Sequence, residues 1–406
     1  MVKRARHVNG WSGRDVNQEH RVSTPLELFF DLTFAVSLAA VAEEMSHRLA
    51  EGEVFAALLS FGISMLAICW AWMNYSWFAS AYDADDLTFR LATMVHMLGV
   101  IVFALGLPRL FQSVAEGVRL DNDVMVLGYV IMRMAMILLW IRAARYDAHR
   151  RNALFANAAV VAIAQILWIV LTFWKPPLKE ALLFLTVVGV LEFVGPVAFY
   201  RRWGTPPWHA HHIAERYSLL VIIALGECVL GAVSMVGAVV SGHGWSLEPI
   251  LIGTACIGLA FGCWWLYFLR PFGEFLKGQR ERAYGWGYLH VFVFSSIVAM
   301  GSGLQLSGEL LEGRSKLSLE MTLIFVVIPV CAYISSVFAI NDFSLFRRKG
   351  INFCLWWGSL LTAVASLVVM KLGGSLPLCL GVLAAAPFVV VLGYEFIDHE
   401  NASRST

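Results

Sequence analysis

The sequence predicts an all-α integral membrane protein of about twelve transmembrane helices, and three observations predict it. Of its 406 residues 59% are hydrophobic and only 15% charged, whereas a soluble domain carries about 25% charged residues. Apolar runs of the ~20 residues that cross a bilayer recur along the whole chain. Lys and Arg are distributed unevenly between alternate connections, as topology requires. A water-soluble domain cannot hide so much apolar surface. A cytosolic enzyme, a disordered chain and a secreted disulfide scaffold are therefore excluded, and alternating short strands of the kind a β-barrel needs are absent.

The twelve runs lie at 25–44, 54–78, 90–110, 124–143, 153–174, 180–199, 213–240, 247–269, 285–307, 318–340, 352–371 and 376–396. The first carries Glu27 and Asp31, four residues apart and so on one helix face. These carboxylates require partners, for which His96 and Arg90 are candidates. Ala40-Val41-Ala42 resembles a signal cleavage site, but Glu27 and Asp31 interrupt the apolar stretch before it, so this span is read as retained. The second run holds Trp72 and Tyr75, the third His96, and the fourth has Arg133 near its centre. A charge there costs roughly 2.5–3.5 kcal/mol on insertion scales and calls for an acid, with Asp31, Glu192 and Glu227 as candidates. The fifth is apolar, and the sixth contains Glu192 just before Gly195-Pro196, where a proline loosens the helix. The seventh is long and has Glu227 at mid-depth beside Gly226, a residue that admits a close neighbour. The eighth repeats the aromatic spacing as Trp264 and Tyr267, the ninth holds His290, and the last three are apolar.

With the N-terminus inside, 21 of the 30 Lys and Arg residues fall on that side, 8 on the other, and Arg133 lies within a span. Both termini are expected to be cytoplasmic. The spans also suggest a duplication. Glu27 and Glu215 each stand at the mouth of a span, a W-x-x-Y pair follows, and His96 and His290 lie 21 and 23 residues after their tyrosines. Six helices is an even number, so two parallel repeats with one orientation are expected. The organisation is a basic tail at 1–24, a first repeat at 25–204, a second at 205–397 with its boundary near Pro206-Pro207, and a tail at 398–406. Each repeat would then build one polar cluster in the cytoplasmic half.

Net charge of +1 argues against a nucleic-acid partner, and the seven cysteines show no CxxC spacing. His209, His211 and His212 ahead of Glu215 are zinc-competent types without a second cluster, so no metal and no cofactor is expected. Nucleotide-binding, serine-nucleophile and metalloprotease motifs are absent.

Two further stretches carry a resemblance. Glu27-Leu28-Phe29-Phe30-Asp31-Leu32-Thr33-Phe34 resembles the opening signature of the bacterial low temperature requirement protein A (LtrA) family. His212-Ile213-Ala214-Glu215-Arg216-Tyr217, with Leu225-Gly226-Glu227 after it, resembles that family's second signature, with Cys228 where the family often has Ser. The resemblance adds His212, Glu215 and Arg216 to the candidate residues. It implies a link to bacterial growth in the cold and defines no molecular activity. The residues themselves point to a plasma-membrane transporter or permeation protein in which Glu27, Asp31 and Glu227 bind or relay ions or protons, and Arg133 holds the counter-charge. A lipid-modifying enzyme built on His96 and His290, or a sensor or scaffold for membrane state, are the alternatives. The bilayer and a small ion or solute are the expected partners. The topology makes a direct prediction: a reporter fused near Asp147 reads cytoplasmic and one near Arg314 reads external, in an alkaline phosphatase and fluorescent-protein fusion assay.

Overall fold

The computed structural model describes residues 13–16, 18, 21–342 and 349–405, and among them it forms helices and no strand. The helices are α1 (Pro25–Ala50), α2 (Val54–Tyr82), α3 (Leu87–Glu116), α4 (Asp123–Tyr146), α5 (Arg151–Trp174), α6 (Leu178–Trp203) and α7 (Ala210–His243). They continue as α8 (Leu247–Phe268), the short α9 (Phe272–Gly278), α10 (Ala283–Leu311), α11 (Leu319–Asp342), α12 (Lys349–Lys371) and α13 (Leu376–Ser405). Among the described residues, twelve helical segments are long and apolar enough to cross a membrane, matching the twelve apolar runs.

Hydropathy finds the spans but not the helix ends, because local chemistry sets the ends. The first begins at a reciprocal capping box: the Glu27 amide donates to Thr24 Oγ1 at 3.2 Å, and the Thr24 amide donates to Glu27 Oε2 at 2.8 Å. Pro25 occupies the first helical position, where its missing N–H costs nothing. Helix α3 starts on Asp86, whose carboxylate accepts the Phe89 amide at 2.9 Å, and it stops at Gly117 with φ of 71°. Several helices outrun their apolar stretches. The seventh has 34 residues, and the last continues to Ser405 through the segment read from sequence as a tail. Once a helix exists, each added residue gains a backbone hydrogen bond, so polarity alone does not end it.

The charged minority faces inward. On α1, Glu27, Asp31, Phe30 and Phe34 are buried while Phe29, Leu32 and Val36 are exposed. This reverses the amphipathicity of a water-soluble helix, as an apolar surrounding medium demands.

Two compact units are distinguished, one comprising Met1–Ser37 and Leu66–Arg216 and the other Leu38–Met65 and Tyr217–Thr406. In the first, α3 packs on α4, α4 on α5, and α5 on α6. Gly99, Gly106 and Gly128 let α3 and α4 touch backbone to backbone; a Cβ on Gly128 would stand 2.2 Å from the Phe103 amide nitrogen. In the second, α10 packs on α11, α11 on α12, α12 on α13, and α13 on α8. Here Gly301 lies against the Glu227 backbone and Gly308 against Ser234, which brings α10 close to α7. The sequence pointed to Gly226 for that approach. The structure corrects this, since a Cβ on Gly226 would meet nothing within 4 Å, and the small residue that matters sits on the partner helix as Gly301.

These contacts predict opposite outcomes for two Gly→Ala changes. Gly128→Ala overpacks backbone and lowers stability by about 1–3 kcal/mol. At Gly237 a Cβ meets nothing within 4 Å, so Gly237→Ala is neutral or stabilising by about 0.5–1 kcal/mol. Thermal unfolding of the two variants in detergent separates them.

Candidate functional site

Glu27 and Asp31 on α1 face His212 and Arg216 on α7, another pair four residues apart, and the two pairs interlock. The Arg216 guanidinium meets Asp31 side-on, through Nε at 3.0 Å and Nη2 at 2.5 Å. Its Nη1 lies 3.1 Å from Glu27 Oε1, so one cation bridges both carboxylates. His212 Nε2 lies 3.1 Å from Glu27 Oε2. The Trp72 indole donates to Asp31 Oδ1 at 2.6 Å, and the guanidinium sits over the Trp72 and Tyr75 rings at 5.8 and 5.9 Å. All four ionisable residues are buried.

Neither sequence-derived partner for the two carboxylates is used. Arg90 stands at the exposed start of α3 and pairs with Asp85 at 2.9 Å. The His96 ring is enclosed by Phe30, Phe34 and Tyr75, and neither of its nitrogens has a hydrogen-bond partner. The carboxylates turn toward α7 because it offers a matching pair at the same spacing.

Above this cluster lies a rim of segments flanking the helices. The Arg21 guanidinium donates to the carbonyls of Ser80 and Ala79, and burial pulls its pKa down to about 10. Arg14 donates to the Asp83 carbonyl at 2.8 Å and pairs with its carboxylate at 3.2 Å. Burial pushes the Asp83 carboxyl above its usual range, the Glu27 charge adds to this, and Arg14 opposes it. His209 Nε2 contacts the Gln18 carbonyl at 2.9 Å, and Glu215 accepts the Ser23 amide at 3.1 Å. Among the described residues no three His, Cys, Asp or Glu side chains converge in a geometry that holds a metal ion.

A second buried network occupies α4, α5 and α6. Of the three acids offered to Arg133, Glu192 is the partner, at 3.2 Å from Nη2. The counter-charge therefore serves neither Asp31, which has Arg216, nor Glu227. The Tyr129 hydroxyl donates to Glu192 Oε2 at 2.7 Å and accepts from Arg133 Nη2, and the guanidinium lies 4.6 Å from the Tyr129 ring centroid. Gln165 Nε2 reaches Glu192 Oε1 at 3.5 Å. Pro196, four residues beyond Glu192, lacks the N–H that would engage the Glu192 carbonyl, so the acid sits where the helix is loosened. This network is incompletely paired. Among the described residues, Arg133 Nε and Nη1, Gln165 Oε1 and Trp168 Nε1 find no hydrogen-bond partner and are buried.

In the second unit, His290 lies among Tyr217, Tyr267, Phe272, Trp286 and Phe294. Its Nδ1 faces the Trp286 carbonyl at 2.8 Å, which puts the proton there, and its Nε2 accepts the Tyr267 hydroxyl at 3.0 Å. Trp264 lies on the exposed face of α8, apart from the buried Tyr267. Glu227 is buried against Gly301 with Oε2 unpartnered. Sequence reasoning missed Tyr129, Gln165 and Thr24. Each left a signal: Tyr129 is four residues before Arg133, Gln165 is a polar residue in an otherwise apolar span, and Thr24 opens a T-x-x-E capping box.

The apolar helices and inward-facing ion pairs define a multi-pass helical membrane protein. The chain belongs to the Bacterial low temperature requirement A protein (LtrA) family, whose profile matches residues 22–391. It is similar to an uncharacterised protein of Rhizobium meliloti (strain 1021), RA0937, at 28% identity over 270 residues. That similarity covers 64% of this chain and 61% of the relative, so the match spans less than two thirds of the relative's length. The stretches resembling the two family signatures meet in the structure as the Glu27–Asp31–His212–Arg216 cluster.

Asp31→Asn leaves Arg216 short of a counter-charge and costs about 3–5 kcal/mol, as for other buried pairs broken on one side. Asp31→Leu combined with Arg216→Met removes both charges and recovers most of that loss. A double-mutant cycle of Asp31→Leu, Arg216→Met and their combination, on thermal unfolding in detergent, measures the coupling.

Proposed function

We propose that this protein is a transporter or permeation protein of a bacterial plasma membrane, with both termini cytoplasmic and two like-oriented six-helix repeats. The observation that carries the reading is Arg133, which is fully buried in an apolar helix with Nε and Nη1 unengaged. A guanidinium buried only for structure is normally saturated by acceptors, because each unmet donor costs about 1–3 kcal/mol. An ionisable residue within a span marks a pathway unless it is fully paired. The transport site in this reading is the α3–α6 network of His96, Arg133, Gln165 and Glu192. Glu227, buried without a cation partner among the described residues, is the candidate proton carrier of the second repeat. The enclosure of His96 and of His290 by aromatic rings, one in each unit, supports the duplication.

A second reading has its own observation. The Glu27–Asp31–His212–Arg216 cluster pairs each of its charges, which suits a scaffold or sensor that needs no pathway. In that case Glu27→Gln with Asp31→Asn leaves growth in the cold intact, provided the variant folds. The lipid-modifying alternative is weaker at His290, where both ring nitrogens are engaged.

The deciding experiment is reconstitution of the whole chain into liposomes with a panel of ions and small solutes. The proposal expects flux above that of protein-free liposomes for at least one of them, reduced about tenfold or more in Arg133→Lys, the scale of one lost charged hydrogen bond. Absence of flux across the panel contradicts it.

A further inference from the structure

Arg133, Gln165 and Trp168 meet the core made by Tyr129 and Glu192, His96 lies on the face of α3 that packs against α4, and each of the four keeps a polar atom unengaged. The antiparallel contact of α3 with α4 brings Gly99 against Gly128 and Met132. His96, one turn before Gly99, therefore lies on the face of α3 that packs against α4, where the Arg133 charge reaches its ring. The α5 side chains close the other side. Trp168 meets the Tyr129 ring edge-on at 5.5 Å, and Gln165 reaches Glu192 at 3.5 Å. His96 and Arg133 are fully buried, and Gln165 and Trp168 are 3% and 7% exposed.

We propose that His96, Arg133, Gln165 and Trp168 form a binding site for a small planar oxyanion, a carboxylate or nitrate, as the transported substrate or its anionic part. This rests on the transport reading of the same network. The unengaged atoms are Arg133 Nε and Nη1, Trp168 Nε1, both nitrogens of His96, and Gln165 Oε1. A neutral imidazole offers one N–H and one lone pair, so donor atoms outnumber acceptors by four to two. A surplus of donors beside a guanidinium suits a ligand made of acceptor oxygens and repels a cation. Glu192 and Tyr129 occupy only Nη2, which leaves the other guanidinium nitrogens available.

Charge balance adds a second feature. Arg133 and Glu192 cancel, so a bound monoanion leaves one negative charge in excess within a medium that does not solvate it. A proton arriving with the anion and held on His96 restores neutrality. The groups facing that ring are Arg133 from α4, Tyr75 from α2, and the uncharged Phe30 and Phe34 rings from α1. No carboxylate contacts the ring, so the bound anion itself would be the partner of the imidazolium.

The test is calorimetric titration of the purified full-length chain in detergent with sodium acetate and with sodium nitrate. Sodium sulfate balances ionic strength, and two buffers of different ionisation enthalpy are used. The expected result is saturable binding of at least one probe with uptake of about one proton per anion. His96→Phe keeps an aromatic ring in an aromatic enclosure and should weaken binding about tenfold or more, with its thermal transition retained. Arg133→Lys, which keeps the charge but loses the planar fork, should weaken it similarly. No saturation by either probe, binding without proton uptake, or unchanged affinity in His96→Phe overturns the proposal. Anion binding without flux in liposomes contradicts the transport reading and leaves the site standing. Cation flux without anion binding does the reverse.

Discussion

A guanidinium buried among apolar helices must bring its counter-charge with it, and Arg216 meets that requirement by bridging Asp31 and Glu27. The consequences extend along the chain. Glu27 is at once the capping residue of α1, the partner of His212 and a second counter-charge for Arg216. The start of α1 is thereby tied to the start of α7, although 185 residues separate Asp31 from Arg216. Trp72 on α2 completes the arrangement by donating to Asp31. Removing Arg216 leaves both carboxylates without their shared cation where no solvent can compensate, so that position tolerates only concerted change.

The Arg133 network obeys the same rule incompletely. Its charge is balanced by Glu192, but its hydrogen-bonding capacity is not exhausted. The difference between the two sites lies in how many carboxylates the guanidinium meets, two at Arg216 and one at Arg133, and in the two nitrogens of Arg133 that face neither a carboxylate nor another acceptor. A side-on guanidinium with a carboxylate on one edge and a second carboxylate within ion-pair distance of Nη1 has its charge matched on two sides, whereas one held through a single nitrogen keeps Nε and Nη1 away from any carboxylate. That contrast separates a structural cluster from a site able to receive a polar ligand, within helices that are otherwise alike in composition.

Much of this was legible in the sequence. The spans were, because twelve apolar runs in a chain with so few charges leave little freedom. The chemistry-bearing types were too, since Glu27, Asp31, His212, Arg216, Arg133 and Glu192 stand out against apolar neighbours. Partner choice was not. Asp31, Glu192 and Glu227 are equivalent claimants for Arg133 until Glu192 on α6 is seen at its guanidinium, and His96 and Arg90 are the candidates for Asp31 until the His96 ring is seen enclosed by Phe30, Phe34 and Tyr75 and Arg90 paired with Asp85. The misplaced glycine has the same origin. A helix shows which residues are small, but not which of two facing helices supplies the small residue, and Gly301 rather than Gly226 carried the contact. Helix ends escaped because caps such as Thr24 and Asp86 are polar residues that a hydropathy reading discards.

The Arg216 cluster meets its guanidinium with two carboxylates and should exclude polar molecules, whereas the Arg133 network, with one carboxylate, should admit them. Hydroxyl-radical footprinting of the unmodified chain in lipid nanodiscs, read residue by residue by mass spectrometry, tests it without any substitution. Trp168 and Tyr129 should be oxidised while Trp72 and Tyr75 stay protected. Equal protection of all four, or labelling confined to Trp72 and Tyr75, would contradict it.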